Sequence, residues 1–263
     1  MAGVRAAPIM LIAITREISP SIVRCVLTHL EREPIDVQKA KAQHQHYERS
    51  LAAAGCLVHT LPAETDLPDS VFVEDAAIVL NELAIIARPG AASRRAETDS
   101  VAGALRPYRP LSFIQPPGTI DGGDVLRLGK QLFIGLSCRT NPQAIEQVHR
   151  LLSPLGYTVH SVAVHGCLHL KSAVTQVAEN TLLMNRAWLD QRAFGQMDII
   201  DVHPSEPHGA NALLLGERVI YADGYPATCR RLVDHGIFLE VVPLSELAKA
   251  EGAVTCCSLV FSV

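Results

Sequence analysis

The chain carries two adjacent cysteines near one end, Cys256 and Cys257, in the apolar run of residues 253–261 (AVTCCSLVF). That run reads as a terminal strand, along which side chains alternate from face to face. One thiol can then face a cavity as a candidate nucleophile while the other packs inside, although an inert buried cysteine is the commoner case. His169 stands at another apolar strand entry, residues 166–172 (GCLHLKS), where it is a candidate general acid and base. Residues 67–75 (LPDSVFVED) end a β-type run in two consecutive carboxylates, Glu74 and Asp75. Carboxylates at a strand mouth are costly unless they meet a cation. Residues 120–125 (IDGGDV) set Asp121 and Asp124 around two glycines, where the backbone can turn tightly or approach a ligand. His165, Cys167 and His169 alternate and could aim one way as metal ligands, but the common zinc spacings and a fourth ligand are missing. His44-Gln-His46 falls on two faces of a long helix and is expected to be solvated.

The string-like catalytic signatures are absent: no nucleophile elbow, zinc-protease helix, phosphate-binding glycine loop or dinucleotide fingerprint. Any chemistry must therefore come from residues scattered along the chain and gathered by the fold. With 263 residues, 48% of them hydrophobic and 19% charged, core material is ample. No Pro/Gly/Ser linker or charge block divides it, so one catalytic domain over residues 1–263 is expected. A net charge of -4 with scattered basic residues argues against nucleic acid or an anionic membrane as partner. Seven cysteines without framework spacing point to a reducing, cytoplasmic setting. The apolar residues 6–13 (AAPIMLIA) are followed by Arg16-Glu17 without a cleavage site and read as a first strand. No run approaches the roughly 20 apolar residues of a membrane span. The expected partner is a small molecule, bound by a monomer or homodimer.

The elements that must position these residues show as a loose repeat of two short apolar runs split by a turn. Its copies are residues 76–89, 124–135, 173–185 and 212–222, with turns at Asn81-Glu82, Gly129-Lys130, Glu179-Asn180 and Gly216-Glu217. A further unit can be assembled from the strand at residues 256–261 and the N-terminal run from Ile9 to Thr15, which would close a ring. Helices fit between the strand pairs. Asp36 caps a run through Ala54 that stops at Gly55, Ser93 caps Arg94 to about Leu105, and Asn141-Pro142 begins one ending before Gly156. Repeated strand-strand-helix units around a centre make a pseudosymmetric α/β propeller with an axial cavity.

Six strings together resemble the dimethylarginine dimethylaminohydrolase (dimethylargininase) family of guanidine-modifying enzymes. They are residues 67–75, 88–95 (RPGAASRR), 121–125 (DGGDV), 135–141 (GLSCRTN), 168–172 (LHLKS) and 255–258 (TCCS). The resemblance implies a five-bladed α/β propeller, with Cys256 as nucleophile, His169 as general acid and base, and Asp121 orienting His169. It further implies that Glu74 and Asp75 face a guanidinium, Asp69 an α-ammonium, and Arg94 and Arg139 an α-carboxylate. Lys171 stands where related deiminases have a guanidinium-binding aspartate. No metal or organic cofactor is implied.

Elementary chemistry asks for the same roles. A guanidinium carbon shares its charge among three nitrogens, so its hydrolysis calls for a strong nucleophile and a proton for the leaving amine. A thiolate and an imidazole meet those needs. The residues leave open a dimethylargininase, an arginine deiminase or other guanidine hydrolase, and a non-catalytic guanidine- or zinc-binding relative. A methyl-sized volume decides between the first two, and one methylene is worth only about 1–3 kcal/mol of discrimination.

Overall fold

The computed structural model describes residues 10–263. Ile9 and the residues before it, included above in the first strand, lie outside the described residues. The chain enters in β1 (Leu11–Arg16), passes through α1 (Val37–Ala53) and returns parallel to β1 as β2 (Cys56–Leu61). Asp36 does cap α1, its side chain accepting the N–H groups of Gln38 and Lys39 at 3.0 Å. Gly55, at φ 93°, ends the run in the left-handed conformation that glycine adopts freely. Residues 40, 43, 44, 47, 50 and 51 are buried, the stripe a helix presents to a sheet. His44 belongs to it: contrary to the solvated expectation, its Nε2 lies 2.8 Å from the Arg16 carbonyl oxygen.

The next units repeat a single plan, an antiparallel pair followed by a parallel third strand. They are β3 (Ala77–Val79), β4 (Ala84–Ile86), α2 (Glu97–Leu105) and β5 (Leu111–Phe113), then β6 (Val125–Leu128), β7 (Gln131–Leu136), α3 (Pro142–Leu152) and β8 (Thr158–Ala163). After the short α4 (Leu170–Ala173) come β9 (Val174–Ala178), β10 (Thr181–Met184) and β11 (Asp198–Asp201). Here a 3-10 turn, Gln191–Phe194, stands in for the connecting helix. The last complete unit is β12 (Ala212–Leu215), β13 (Arg218–Ala222), α5 (Pro226–Asp234) and β14 (Phe238–Val242). Beyond α6 (Ser245–Ala248), β15 (Leu259–Ser262) pairs antiparallel with β1 and completes the opening unit, giving five three-stranded sheets among the described residues. The hairpin turns fall where expected; Gly129 and Gly216 take φ 61° and 60° there.

The sheets form a propeller because their middle strands are apolar on both faces. On β1, Ile12 and Ile14 enter the core shared with β4 and α2, while Ala13 enters the core shared with α1 and β13. The alternation recurs on β4, β7, β10 and β13, so each of five cores lies between consecutive blades. A strand buried on both faces reads as a continuous apolar run, which is why the repeats stand out in the sequence. Each buried Ile, Leu or Val contributes about 1.5–3 kcal/mol. The first strands of the blades, β3, β6, β9, β12 and β15, together line one axial cavity of about 260 Å³.

Two further expectations are corrected. Cys256 and Cys257 lie in a turn ahead of β15, which begins only at Leu259. Ser93 sits in the 3-10 turn Ala92–Arg94 and caps nothing; α2 begins at Glu97, because the intervening residues turn the Arg94 side chain inward instead of starting a helix. Among the described residues no helix is long and apolar enough to cross a membrane.

Candidate active site

Each first strand is preceded by a short non-strand stretch, and those stretches carry the polar residues to one end of the ring. Asp75 precedes β3, Asp121 precedes β6, His169 precedes β9, Asn211 precedes β12 and Cys256 precedes β15. Arg94 and Arg139 follow the second strands β4 and β7. Residues far apart in sequence thus converge: Asp69, Asp75, Arg94, Arg139, His169 and Cys256 line one small cavity of about 20 Å³.

His169 is buried in its wall, with Nε2 3.1 Å from Asp121 Oδ2 and Nδ1 4.0 Å from Asp75 Oδ1. Burial alone would lower its pKa, but Asp75, Asp121 and Asp124 outweigh that and raise it to about 9. The imidazole is therefore protonated at neutral pH. Asp124 accepts hydrogen bonds from Ser137 (2.6 Å), Thr140 (2.7 Å) and the Leu170 N–H (2.9 Å), which ties the His169 segment to the β6–β7 blade. The two glycines of the DGGD string permit close approach. A Cβ on Gly123 would stand 2.6 Å from His169 Nδ1, and one on Gly122 would stand 1.9 Å from the Glu74 carbonyl oxygen.

A stability test follows from this cation. The folded His169 pKa, about 9, lies above the ordinary 6.5, so its contribution is complete below about 6.5 and is lost as pH rises through about 9. The urea midpoint of the native protein should fall across that window, by an amount on the order of a few kcal/mol in stability. In His169→Gln the fall should flatten; an unchanged slope would mean that the histidine is neutral when folded.

Arg94 is buried and donates to Asp75 Oδ2 (2.6 Å), to Glu97 through Nε and Nη2 (3.1 and 2.8 Å), and to the carbonyls of Asp69 and Phe72. Although burial raises Asp75, His169 and Arg94 prevail and hold its pKa well below the usual carboxylate range. Burial pushes Glu97 up to about 7 even beside the Arg94 fork. Arg139 donates to Asp121 Oδ2 (3.3 Å) and to Thr28 Oγ1 (3.1 Å). Asp69 accepts the Val26 N–H on both oxygens at 3.2 Å.

Glu74 is placed apart from the others. Its carboxylate pairs with the Lys171 ammonium and accepts the Thr255 hydroxyl at 2.8 Å, and it lines the axial cavity rather than the cavity of His169. Its backbone N–H donates to the Cys256 carbonyl oxygen at 3.2 Å, fixing the cysteine turn. Cys256 is half-buried and faces the small cavity, whereas Cys257 is fully buried with its thiol directed at the Ala253 carbonyl oxygen. Burial first, then Glu74 and Asp75, push the Cys256 thiol up to about 12.

His165 and Cys167 do not share a strand face with His169, because β8 ends at Ala163 and the chain bends at Gly166, φ 72°. Among the described residues, the group close enough to share a cation is Asp75, Asp121 and His169, with ligand atoms within 4.8 Å. Arg94 and Arg139 already balance those carboxylates. Asn211 and Glu97 escaped the sequence reading, and Thr255 entered it only as part of the TCCS string. Asn211 donates to Thr255 Oγ1 (2.9 Å), accepts the Thr255 N–H (3.1 Å) and so extends the Glu74 network. Its signal was the repeat itself: it lies in the short stretch before a first strand, where the other blades also carry a site residue.

The arginine deiminase family model matches residues 65–208. The chain is 38% identical over 258 residues to an N(G),N(G)-dimethylarginine dimethylaminohydrolase of Streptomyces coelicolor, covering 94% of this chain and 95% of that protein. It is 35% identical to the Pseudomonas aeruginosa protein of the same name, over 86% and 90% of the two chains. The fold matches a Pseudomonas aeruginosa dimethylarginine dimethylaminohydrolase, a cysteine-to-serine mutant in complex with citrulline, with a TM-score of 0.90 and 34% identity, covering 96% and 100% of the two chains. A dimethylarginine dimethylaminohydrolase adduct with S-methyl-L-thiocitrulline matches at 0.89 and 34%, covering 95% and 98%. A cyanobacterial arginine dihydrolase domain shares the fold at 0.84 and 17% identity, covering 95% and 97%. Five like blades with a thiol, an imidazole and paired carboxylates at one end of the ring accord with these matches, and the chain belongs to the dimethylarginine dimethylaminohydrolase family.

Proposed function

We propose that this protein hydrolyses ω-methylated arginines, asymmetric dimethylarginine and monomethylarginine, to citrulline and dimethylamine or methylamine. The observation that carries the proposal is the convergence of Cys256, His169 and Asp75 on one cavity that Asp69 and Arg139 also line. The substrate guanidinium lies against Asp75, with the α-ammonium at Asp69 and the α-carboxylate at Arg139 and Arg94. Glu74 supports this end from behind, its charge balanced by Lys171, so Asp75 is the carboxylate left facing the guanidinium. A site with one such carboxylate suits a guanidinium in which methyl groups replace N–H donors.

The thiol, whose pKa burial and the neighbouring carboxylates push up to about 12, gives its proton to solvent when the cationic substrate lies against it. The thiolate attacks the guanidinium carbon, and His169, already protonated, gives its proton to the departing amine. The C–N bond breaks, leaving a thiouronium on Cys256. A water then attacks the same carbon while the neutral imidazole takes its proton. The C–S bond breaks, the departing Cys256 thiolate takes the second water proton, citrulline leaves, and His169 is again a cation. Asp121 fixes the imidazole throughout.

The test is to incubate pure protein with asymmetric dimethylarginine, arginine and agmatine and to assay ureido product. Citrulline from dimethylarginine at a higher kcat/KM than from arginine is expected; the reverse order makes the protein an arginine deiminase. Agmatine lacks the α-carboxylate and should be a very poor substrate. Arg139→Ala should cost dimethylarginine about 1.5–3 kcal/mol in kcat/KM, the scale of a hydrogen bond to a charged group, and barely alter agmatine turnover. Equal losses on the two substrates would remove Arg139 from the carboxylate.

A further inference from the structure

Glu251 lies between α6 and the Cys256 turn, with its backbone at φ 58°, the one positive-φ residue other than glycine among the described residues. Glycine adopts that conformation without cost, so a glutamate there points to a use for its side chain. Its carboxylate accepts the backbone N–H groups of three consecutive residues, Thr28 at 3.0 Å, His29, and Leu30 at 2.7 Å. Successive amides turned onto one anion form a nest, a fixed multi-donor attachment.

The segment so held adjoins the site. Val26 lines the cavity of His169 and Cys256, and that cavity, about 20 Å³, has room for about one water. Glu251 also lines a neighbouring cavity of about 220 Å³ with His29, Leu30 and His208. Two other contacts tie the segment down: the Val26 N–H on Asp69, and the Thr28 hydroxyl on Arg139. Both use groups assigned above to the amino-acid end of the substrate. A substrate that takes Asp69 and Arg139 displaces those two ties, while the nest at Glu251 can persist through the exchange.

We infer that Glu251 is a positioning residue for the amino-acid end of the substrate, latching residues 28–30 beside the site while the α-ammonium replaces the Val26 N–H on Asp69 and the α-carboxylate replaces the Thr28 hydroxyl on Arg139. The inference rests on the assignments of Asp69 and Arg139 made above. Its energetic logic is preorganisation: a lid that stays attached at one point closes over bound substrate without a search.

Two variants test it. Glu251→Gly removes the carboxylate and takes the left-handed backbone without strain, so its melting temperature should not fall; Glu251→Asp keeps an anion on a shorter arm. Hydrogen exchange at the amides of residues 28–30 should quicken at least about tenfold in Glu251→Gly, with residues 73–76 unaffected, and recover in part in Glu251→Asp. KM for dimethylarginine should rise about tenfold in Glu251→Gly with kcat within about threefold, the scale of a lost hydrogen bond to a charged group. Unchanged exchange, or a loss confined to kcat, overturns the latch. If the native protein forms no citrulline, the activity assignment fails, and the exchange rates alone still decide whether Glu251 holds the segment.

Discussion

Replacing Cys256 by serine should abolish citrulline formation, by roughly 10⁴–10⁶-fold, the scale on which loss of a covalent nucleophile acts. Binding of dimethylarginine should survive, because Asp69, Asp75 and Arg139 are untouched; calorimetry on the variant reads it directly. Cys257→Ser should behave differently. Its thiol is fully buried and directed at the Ala253 carbonyl oxygen, a bond that a hydroxyl can keep. The cost is one more polar group in an apolar core, about 1–3 kcal/mol of stability, with turnover largely retained. Equal loss of activity in the two variants, with both folded, would leave Cys256 without a special role. The distinction rests on the turn that displays Cys256 to the cavity and is anchored by the Glu74 N–H on the Cys256 carbonyl.

Arg94→Ala should instead unfold much of the protein's margin. The guanidinium bridges two buried carboxylates, Asp75 and Glu97, and satisfies two backbone carbonyls. Removing one partner from a buried ion pair leaves uncompensated charge and costs about 3–5 kcal/mol, against a total stability of about 5–15 kcal/mol. A urea titration should show the loss, together with a fall in kcat/KM from the displaced Asp75. Arg139→Ala leaves Asp121 with His169 and the Gly90 N–H and should destabilise less. If Arg94→Ala melts like the native protein, the bridge contributes nothing to the fold and Arg94 acts on substrate alone.

The two arginines, assigned together from a resemblance, line the same cavity but hold different partners. Arg94 lies in a 3-10 turn with its fork on Asp75 and Glu97, whereas Arg139 donates to Asp121 and the Thr28 hydroxyl. Glu74 and Asp75 differ too, although adjacent. One faces the Lys171 ammonium and the axial cavity, the other His169 and Arg94, because neighbours in a 3-10 turn point in different directions.

What the sequence by itself determined is local in origin. The hairpin turns at Gly129, Asn180 and Gly216, the caps at Asp36 and Asn141, and the doubly apolar strands are each specified within a few residues. Their repetition announced the propeller and, with the Cys256, His169 and Asp121 strings, the family. The tertiary structure alone decided that Cys256 sits in a turn rather than on a strand, that Glu74 turns from the cavity, that Asn211 and Thr255 join its network, and that Glu251 holds residues more than two hundred positions earlier. Each of these depends on contact between segments far apart in the chain, and no local pattern encodes a partner that only ring closure brings within reach.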